Sequence, residues 1–323
     1  AAPAFGWLPA AGGHEVSLQP WRDLLAWPGF AAALRLTVTV GFGATLASLV
    51  LAAGFCAVFA GRPLMARAEK ALAPLLGSPH AALALGFAFL IAPSGWIARV
   101  ISPELTGWER PPAGLVTLQD PAGLSFLAGL LLKETPYLVL MIIAACAQVP
   151  VRATLATAAG LGHGRAAAWL AGVFPRIYGQ IRLPVYAVLA FSLSAVDVGI
   201  ILAPGNPPPL GVQAARWFLD YDLARWFPAA AAALLQLALT VTGILLWRIG
   251  EAIVARGGRR WIEAGAPDLG VGLVMRVAAG AALVVGAAGL ASLLAMAVWS
   301  VAAVWRFPDA LPERFSTAVW GAA

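Results

Sequence analysis

From Leu36 to Ala60 the chain runs without a single charged residue. About 20 apolar residues in a helix cross the hydrocarbon core of a bilayer, and lipid leaves the backbone to satisfy its own hydrogen bonds. A stretch of this kind therefore folds as a membrane-spanning helix. The feature recurs, at roughly 31–60, 72–97, 122–149, 185–203, 229–247 and 277–304. Only 11% of the 323 residues are charged, against about 25% in soluble domains. The expected fold is all-α, a polytopic transmembrane helical bundle with about six spans.

Several chemistries are excluded at once. Cys56 and Cys146 both lie in apolar stretches, so no disulfide framework or cysteine-based zinc site is expected. His14, His80 and His163 are far apart and have no metal-ligand spacing. No metal site, Ser-His-Asp set or dinucleotide loop is present in the sequence pattern. A phosphate-binding P-loop needs Gly-Lys-Ser/Thr, and Lys70 and Lys133 follow Glu69 and Leu132. The expectation is a non-enzymatic chain without its own ATPase site or cofactor.

The net charge of +6 sits mainly between the spans, which points to membrane topology and not to nucleic acid. If the first segment lies outside, the inner segments hold 12 Lys and Arg and the outer segments 7, with Arg35 and Lys133 inside spans. This excess places the inner segments in the cytoplasm. The outer segments hold Trp7, Trp21, Trp108, Trp217 and Trp305, suited to an interfacial aromatic belt. Two of them echo each other. FGWLPAAGGHEVSLQPW (5–21) and FPDALPERFSTAVW (307–320) both read aromatic, Leu-Pro, a polar stretch with Ser, then Trp. A duplicated protein explains this, as do two unrelated interfacial loops.

The longest inner segment before the last spans is VRATLATAAGLGHGRAAAWLAGVFPRIYGQIRLP, 151–184, with four Arg and no acid. Helical spacing fits 151–160 and 165–173. Gly160, Gly162 and Gly164 lie between them, and each costs roughly 1 kcal/mol in a helix interior. A bend is expected at 161–164, and Pro175 is expected to end the second helix. By itself this is a bent basic pair near the membrane surface, suited to a soluble partner or to service as a solvated connector.

The segment resembles the cytoplasmic motif E-A-A-x3-G-x9-I-x-L-P of binding-protein-dependent ABC importer permeases. Aligned on Gly162 and Pro175, Ala158 matches the second Ala; Ala156 stands at the Glu position, Thr157 at the first Ala, Gly172 at the Ile and Phe174 at the Leu. LLKETPYLVLMIIAACAQVP, PHAALALGFAFL and the stretch from Arg182 to Phe218 are also similar to that family, closest to its iron, thiamine and polyamine type, often two fused halves. The resemblance covers roughly residues 30–248.

It implies type I importer architecture in an inner (plasma) membrane of a bacterial cell. It implies an extracytoplasmic segment at 1–30, a permease transmembrane domain at 31–248 with its loop at 151–184, a cytoplasmic linker at 249–276, and a sixth span with an extracytoplasmic segment at 277–323 that starts a second repeat. The implied partners are a cytoplasmic ABC ATPase dimer, which binds the ATP, an extracytoplasmic solute-binding protein, a second permease half (fused or separate) and membrane lipid. The coupling role falls to Ala156, Thr157, Ala158, Gly162, His163, Gly164, Arg165 and Pro175, with Gly162 as pivot and no Glu to form that family's carboxylate contact.

Charges inside spans are expensive and usually face a bundle interior. Lys133 lies about 16 Å and Asp197 about 10 Å from the outer ends of their spans at 1.5 Å per residue. Lys133 or Glu134 is expected to pair with Asp197 or to line a translocation path with it. Alternatively, Lys133 and Glu134 adjust the helix break beside Pro136. These same groups also admit an ion-coupled secondary transporter as a rival reading.

Overall fold

The computed structural model describes residues 1–265 and 270–321. Among them, fourteen α-helices follow in order: α1 (Gln19–Ala26), α2 (Phe30–Phe59), α3 (Pro63–Gly77), α4 (His80–Ile91), α5 (Trp96–Val100), α6 (Leu124–Cys146), α7 (Val151–Gly160), α8 (Arg165–Gly172), α9 (Phe174–Ser194), α10 (Asp197–Leu202), α11 (Leu210–Phe218), α12 (Trp226–Glu263), α13 (Val271–Ser300) and α14 (Ala318–Gly321). Among the described residues the only sheets are two antiparallel two-stranded hairpins, β1–β2 (Trp7–Leu8 with Gly13–His14) and β3–β4 (Ala302–Val304 with Arg314–Phe315). The chain is an all-α polytopic membrane protein.

Among the described residues, five helical segments are long and apolar enough to cross a membrane: Phe30–Phe59, His80–Val100, Leu124–Cys146, Leu223–Glu263 and Val271–Ser300. The expected span at 185–203 is divided. Its helix starts earlier, at Phe174, and breaks after Ser194 before α10. The expected continuous span at 72–97 is also divided, at Ser78 and Pro79, between α3 and α4. Of the expected linker at 249–276, residues 266–269 lie outside the described residues. Residues 249–263 continue α12, and 271–276 open α13. At 1.5 Å per residue α12 is about 57 Å long, well beyond the roughly 30 Å hydrocarbon core.

α2 is the central helix, packed along α6, α9 and α13. Small residues make this possible, as membrane helices without a hydrophobic drive toward one another rely on close van der Waals approach. A Cβ on Gly54 would stand 2.5 Å from the Ala278 Cβ of α13. On α4, a Cβ on Gly86 would stand 2.2 Å from the Ser292 carbonyl oxygen. Pro136 removes an N–H from α6. One turn earlier, the Leu132 carbonyl oxygen lies 3.4 Å from the Cβ position of Gly289 on α13.

The buried apolar residues fall into three groups. One surrounds Trp169, Ile177, Ile142 and Phe55 near the basic ends of the helices. A second joins Phe126, Leu130, Val198 and Leu202. The third joins Leu24, Leu210, Trp217 and Ala229–Ala232, fixing α1 and α11 on α12. The outward faces of α12 and α13 carry exposed Leu237, Val241, Leu245, Leu283, Val284 and Leu294. Apolar faces of this kind suit lipid or another transmembrane segment.

The echoing segments are built alike at their helix-proximal ends. The Ser17 N–H donates to the Phe5 carbonyl at 2.9 Å, just before β1, and the Ser316 N–H to the Val301 carbonyl at 2.8 Å, just before β3. Each serine hydroxyl accepts the N–H two residues on, Gln19 at 3.4 Å and Ala318 at 3.2 Å, where a helix starts. The Leu-Pro pairs differ in place: Leu8 ends β1, whereas Leu311 and Pro312 precede β4.

Candidate functional site

The bent pair α7–α8 follows directly from its residues. Ala-rich sequence favours both helices. At the end of α7, Gly162 takes φ +82°. The His163 N–H then reaches the Ala158 carbonyl and the Gly162 N–H the Ala159 carbonyl, both at 3.0 Å. These two bonds form a Schellman cap, which closes the carbonyl end of α7 and turns the chain. Of the three glycines, only Gly162 needs the left-handed region. Gly160 completes α7, and Gly164 is the extended residue that starts α8. Gly172 serves packing instead. A Cβ there would lie 2.8 Å from Thr154 Cγ2, so its lack of a side chain lets α8 lie against α7.

α8 turns Ala166 to Trp169 inward. Trp169 is fully buried, with its ring 5.5 Å from Phe174. On α7, Arg152, Ala156, Thr157 and Ala159 are exposed, and Ala158 is half-buried. Gly162, Gly164 and Arg165 are exposed and His163 is half-buried. Arg165 donates from Nη2 to the carbonyl of Ala60, the residue that ends α2. Burial, then the like charge of Arg62, pulls the Arg165 guanidinium below its ordinary value. The loop is thus anchored twice, by Trp169 in the core and by Arg165 on α2, and presents α7 outward.

Pro175 does not end α8. That helix stops at Gly172, and Pro175 occupies the first turn of α9, where a missing N–H breaks no helical bond. α9 then runs through Arg176 and Arg182 because Arg182 has a partner. Its Nε lies 3.2 Å from Glu251 Oε2 on α12. Tyr178 and Tyr186 donate to the same carboxylate at 2.8 and 3.0 Å. A single half-buried acid therefore ties α9 to α12.

The intramembrane charges meet partners other than those expected. Among the described residues Lys133 forms no ion pair with Asp197. Lys133 Nζ donates to the carbonyl of Ser78, the residue whose N–H caps α3. Glu134 Oε1 lies 3.3 Å from His80 Nε2 at the start of α4. His80 in turn packs on the Phe191 ring, with centroids 4.1 Å apart. Two consecutive residues of α6 thus clasp both sides of one helix break. The cation faces the negative end of α3 and the anion the positive end of α4, the favourable sense for each helix dipole. Asp197 opens α10 at a second break close by, where its charge also suits a helix N-terminus.

Sequence comparison adds a relative. The inner membrane ABC transporter permease protein YnjC of Escherichia coli (strain K12) is 29% identical over 247 residues, 75% of this chain. The chain is homologous to an ABC transporter permease. The match covers 46% of YnjC, so the chain spans less than half the length of that relative. No family model matches the chain.

Among the described residues of this permease homologue, no group of three or more His, Cys, Asp or Glu is placed to hold a metal ion. Three contributors to the site escaped sequence reading. His80 stood alone, 54 residues from Glu134. Trp169 lay in a basic stretch without an apolar period. Glu251 lay beyond the fifth span, far from the arginine it serves. Only Glu251 carried a signal, as an acid set among arginines.

Proposed function

We propose that this chain is the transmembrane permease subunit of an ABC importer, forming a path for a small solute and coupling to a separate ATPase through Ala156–Pro175. The observation that carries the reading is the Gly162-centred bend. It is anchored by Trp169 and Arg165 to the bundle while its outer helix, α7, stays exposed. A force applied to α7 passes through Trp169 to α9, and through Glu251 from α9 to α12. The homology to an ABC transporter permease supports the same role. The ATP would be bound by the partner ATPase dimer, and a solute-binding protein would deliver to the opposite face. Lys133, Glu134 and Asp197 stand at two helix breaks within the bundle, where broken spans in transporters commonly border the path.

The test is co-purification with the ATPase subunit from membranes. Deletion of residues 156–175 should abolish it while the remaining helices still insert. Full retention of the ATPase after that deletion would sink the reading. The His80–Glu134 contact gives the rival, an ion-coupled transporter, its one observation. That reading requires solute uptake that follows a proton gradient in vesicles lacking ATP.

A further inference from the structure

Three arginines from three separate elements converge on the turn that joins α2 to α3. Arg62 belongs to the turn itself. Arg165, at the start of α8, donates to the Ala60 carbonyl. Arg152, in the first turn of α7, lays its stem along Gly61. A Cβ on that glycine would stand 3.7 Å from both the Cγ and the Nε of Arg152. Arg62 stands near enough to Arg165 that, after burial, its like charge lowers that guanidinium. Among the described residues none of the three arginines forms an ion pair. The acid nearest to any of them in sequence is Glu69, two turns into α3, and it forms none either.

The same turn borders a cleft of about 520 Å³. Its walls include Met65, Ile143, Cys146, Val149 and Val151, and Arg152 is its one charged lining residue among the described residues. The cleft lies where α2 and α6 end and α7 begins, at the level where two spanning helices leave the bilayer. Apolar walls and unpaired cations therefore meet at one membrane surface. A free anion would use the arginines and leave the walls bare. A soluble protein would meet the exposed face of α7 before it reached this level. An amphiphile with an anionic head uses both parts, and a guanidinium suits a phosphate through paired N–H donors.

We infer that this cleft holds one anionic phospholipid, with an acyl chain against Ile143 and Cys146 and its phosphate on Arg62 and Arg152. The excess of Lys and Arg assigns this side to the cytoplasm, whose leaflet carries the anionic lipid, and basic pockets between spans on that side bind lipid headgroups. The inference goes beyond the coupling role and does not depend on it. Such a lipid joins the α2–α3 turn to the first turn of α7 and relieves the repulsion among the three cations.

The experiment uses the complete transporter in detergent, stripped of native lipid and titrated with phosphatidylglycerol or with phosphatidylcholine of the same acyl chains. Native mass spectrometry counts lipids on the released permease subunit, so the count does not require the ATPase to stay bound. Phosphatidylglycerol should bind about tenfold more tightly than phosphatidylcholine, from the pull of two basic residues on an anionic headgroup. Millimolar inorganic phosphate should not displace it. Arg62→Gln with Arg152→Gln should erase the preference, and Ile143→Trp, which fills the cleft, should weaken phosphatidylglycerol with the cations intact. Arg256→Gln with Arg259→Gln, at the far end of α12, should change neither. Phosphatidylglycerol with a diazirine on its acyl chain should label residues 143–153. Equal binding of the two lipids, displacement by phosphate, or labelling confined to other segments overturns the inference. So does a preference that survives the Arg62 and Arg152 changes, full binding to the Ile143→Trp variant, or an equal loss on changing Arg256 and Arg259. Each of these leaves the permease reading standing, because that reading is judged by co-purification of the ATPase.

Discussion

Replacing Gly162 by alanine probes the bend on which the coupling proposal depends. Gly162 lies at φ +82°, and a Cβ built there meets nothing within 4 Å. Steric exclusion by neighbours therefore plays no part, and the cost is conformational alone, about 1–2 kcal/mol for an L-residue in the left-handed region. Asparagine tolerates that region better, so Gly162→Asn should cost less than Gly162→Ala. The His163 amide reports the bend directly, because it is bonded to the Ala158 carbonyl at 3.0 Å only when the cap is closed. Hydrogen exchange at His163 should rise about 5- to 30-fold in the alanine variant, the factor equivalent to 1–2 kcal/mol. The apparent affinity for the ATPase falls by up to the same factor, since only the bent fraction is competent to dock. It reaches the full factor only if the open form dominates in the variant. Alanine indistinguishable from glycine in both measurements, or asparagine worse than alanine, would refute the reasoning.

Trp169→Ala should lower stability by about 3–5 kcal/mol, the range for emptying a buried aromatic site, and thermal denaturation in detergent would show it; Trp169→Phe should recover much of the loss. Swapping Lys133→Asp and Asp197→Lys should not restore folded yield, because the partner of Lys133 is the Ser78 carbonyl and not Asp197. Recovery of wild-type yield on size-exclusion chromatography would contradict that assignment. Asp120 accepts the Leu124 and Ser125 N–H groups at 2.9 and 2.8 Å at the start of α6. Burial raises its carboxyl, but these bonds and the Ser125 hydroxyl outweigh burial and hold it below its ordinary value. Its stabilisation is thus complete above the unfolded carboxyl pKa of about 3.9 and is lost as pH falls through the lower folded value. Asp120→Ala should cost about 0.5–2 kcal/mol at neutral pH and flatten that acid-side loss in a pH series of melting curves.

The bundle was legible where a single property decides structure. Charge-free length marks α2 and α13 unaided, and the Gly160–Gly164 cluster marks the bend. The breaks were not legible. Ser78 and Pro79 interrupt a run that hydropathy reads as continuous, and Arg176 and Arg182 look like loop residues until Glu251 is seen beside Arg182. The charged pair shows the same limit more sharply. Lys133 and Glu134 announce that something polar lies within the bundle, but one partner is a backbone carbonyl. Every residue carries such a group, so no residue type reveals it. Gly172 gives the opposite lesson: an apparent departure from the family pattern is explained by its contact with Thr154.

The clasp at Ser78–Pro79–His80 also bears on the order of biogenesis. Until α6 arrives, the broken segment enters lipid with the Ser78 carbonyl and the His80 ring deprived of the partners they have in the finished bundle. Lipid supplies none. α3 and α4 therefore lack both partners until α6 joins them, and α6 is the piece that makes their interrupted path through the bilayer tolerable.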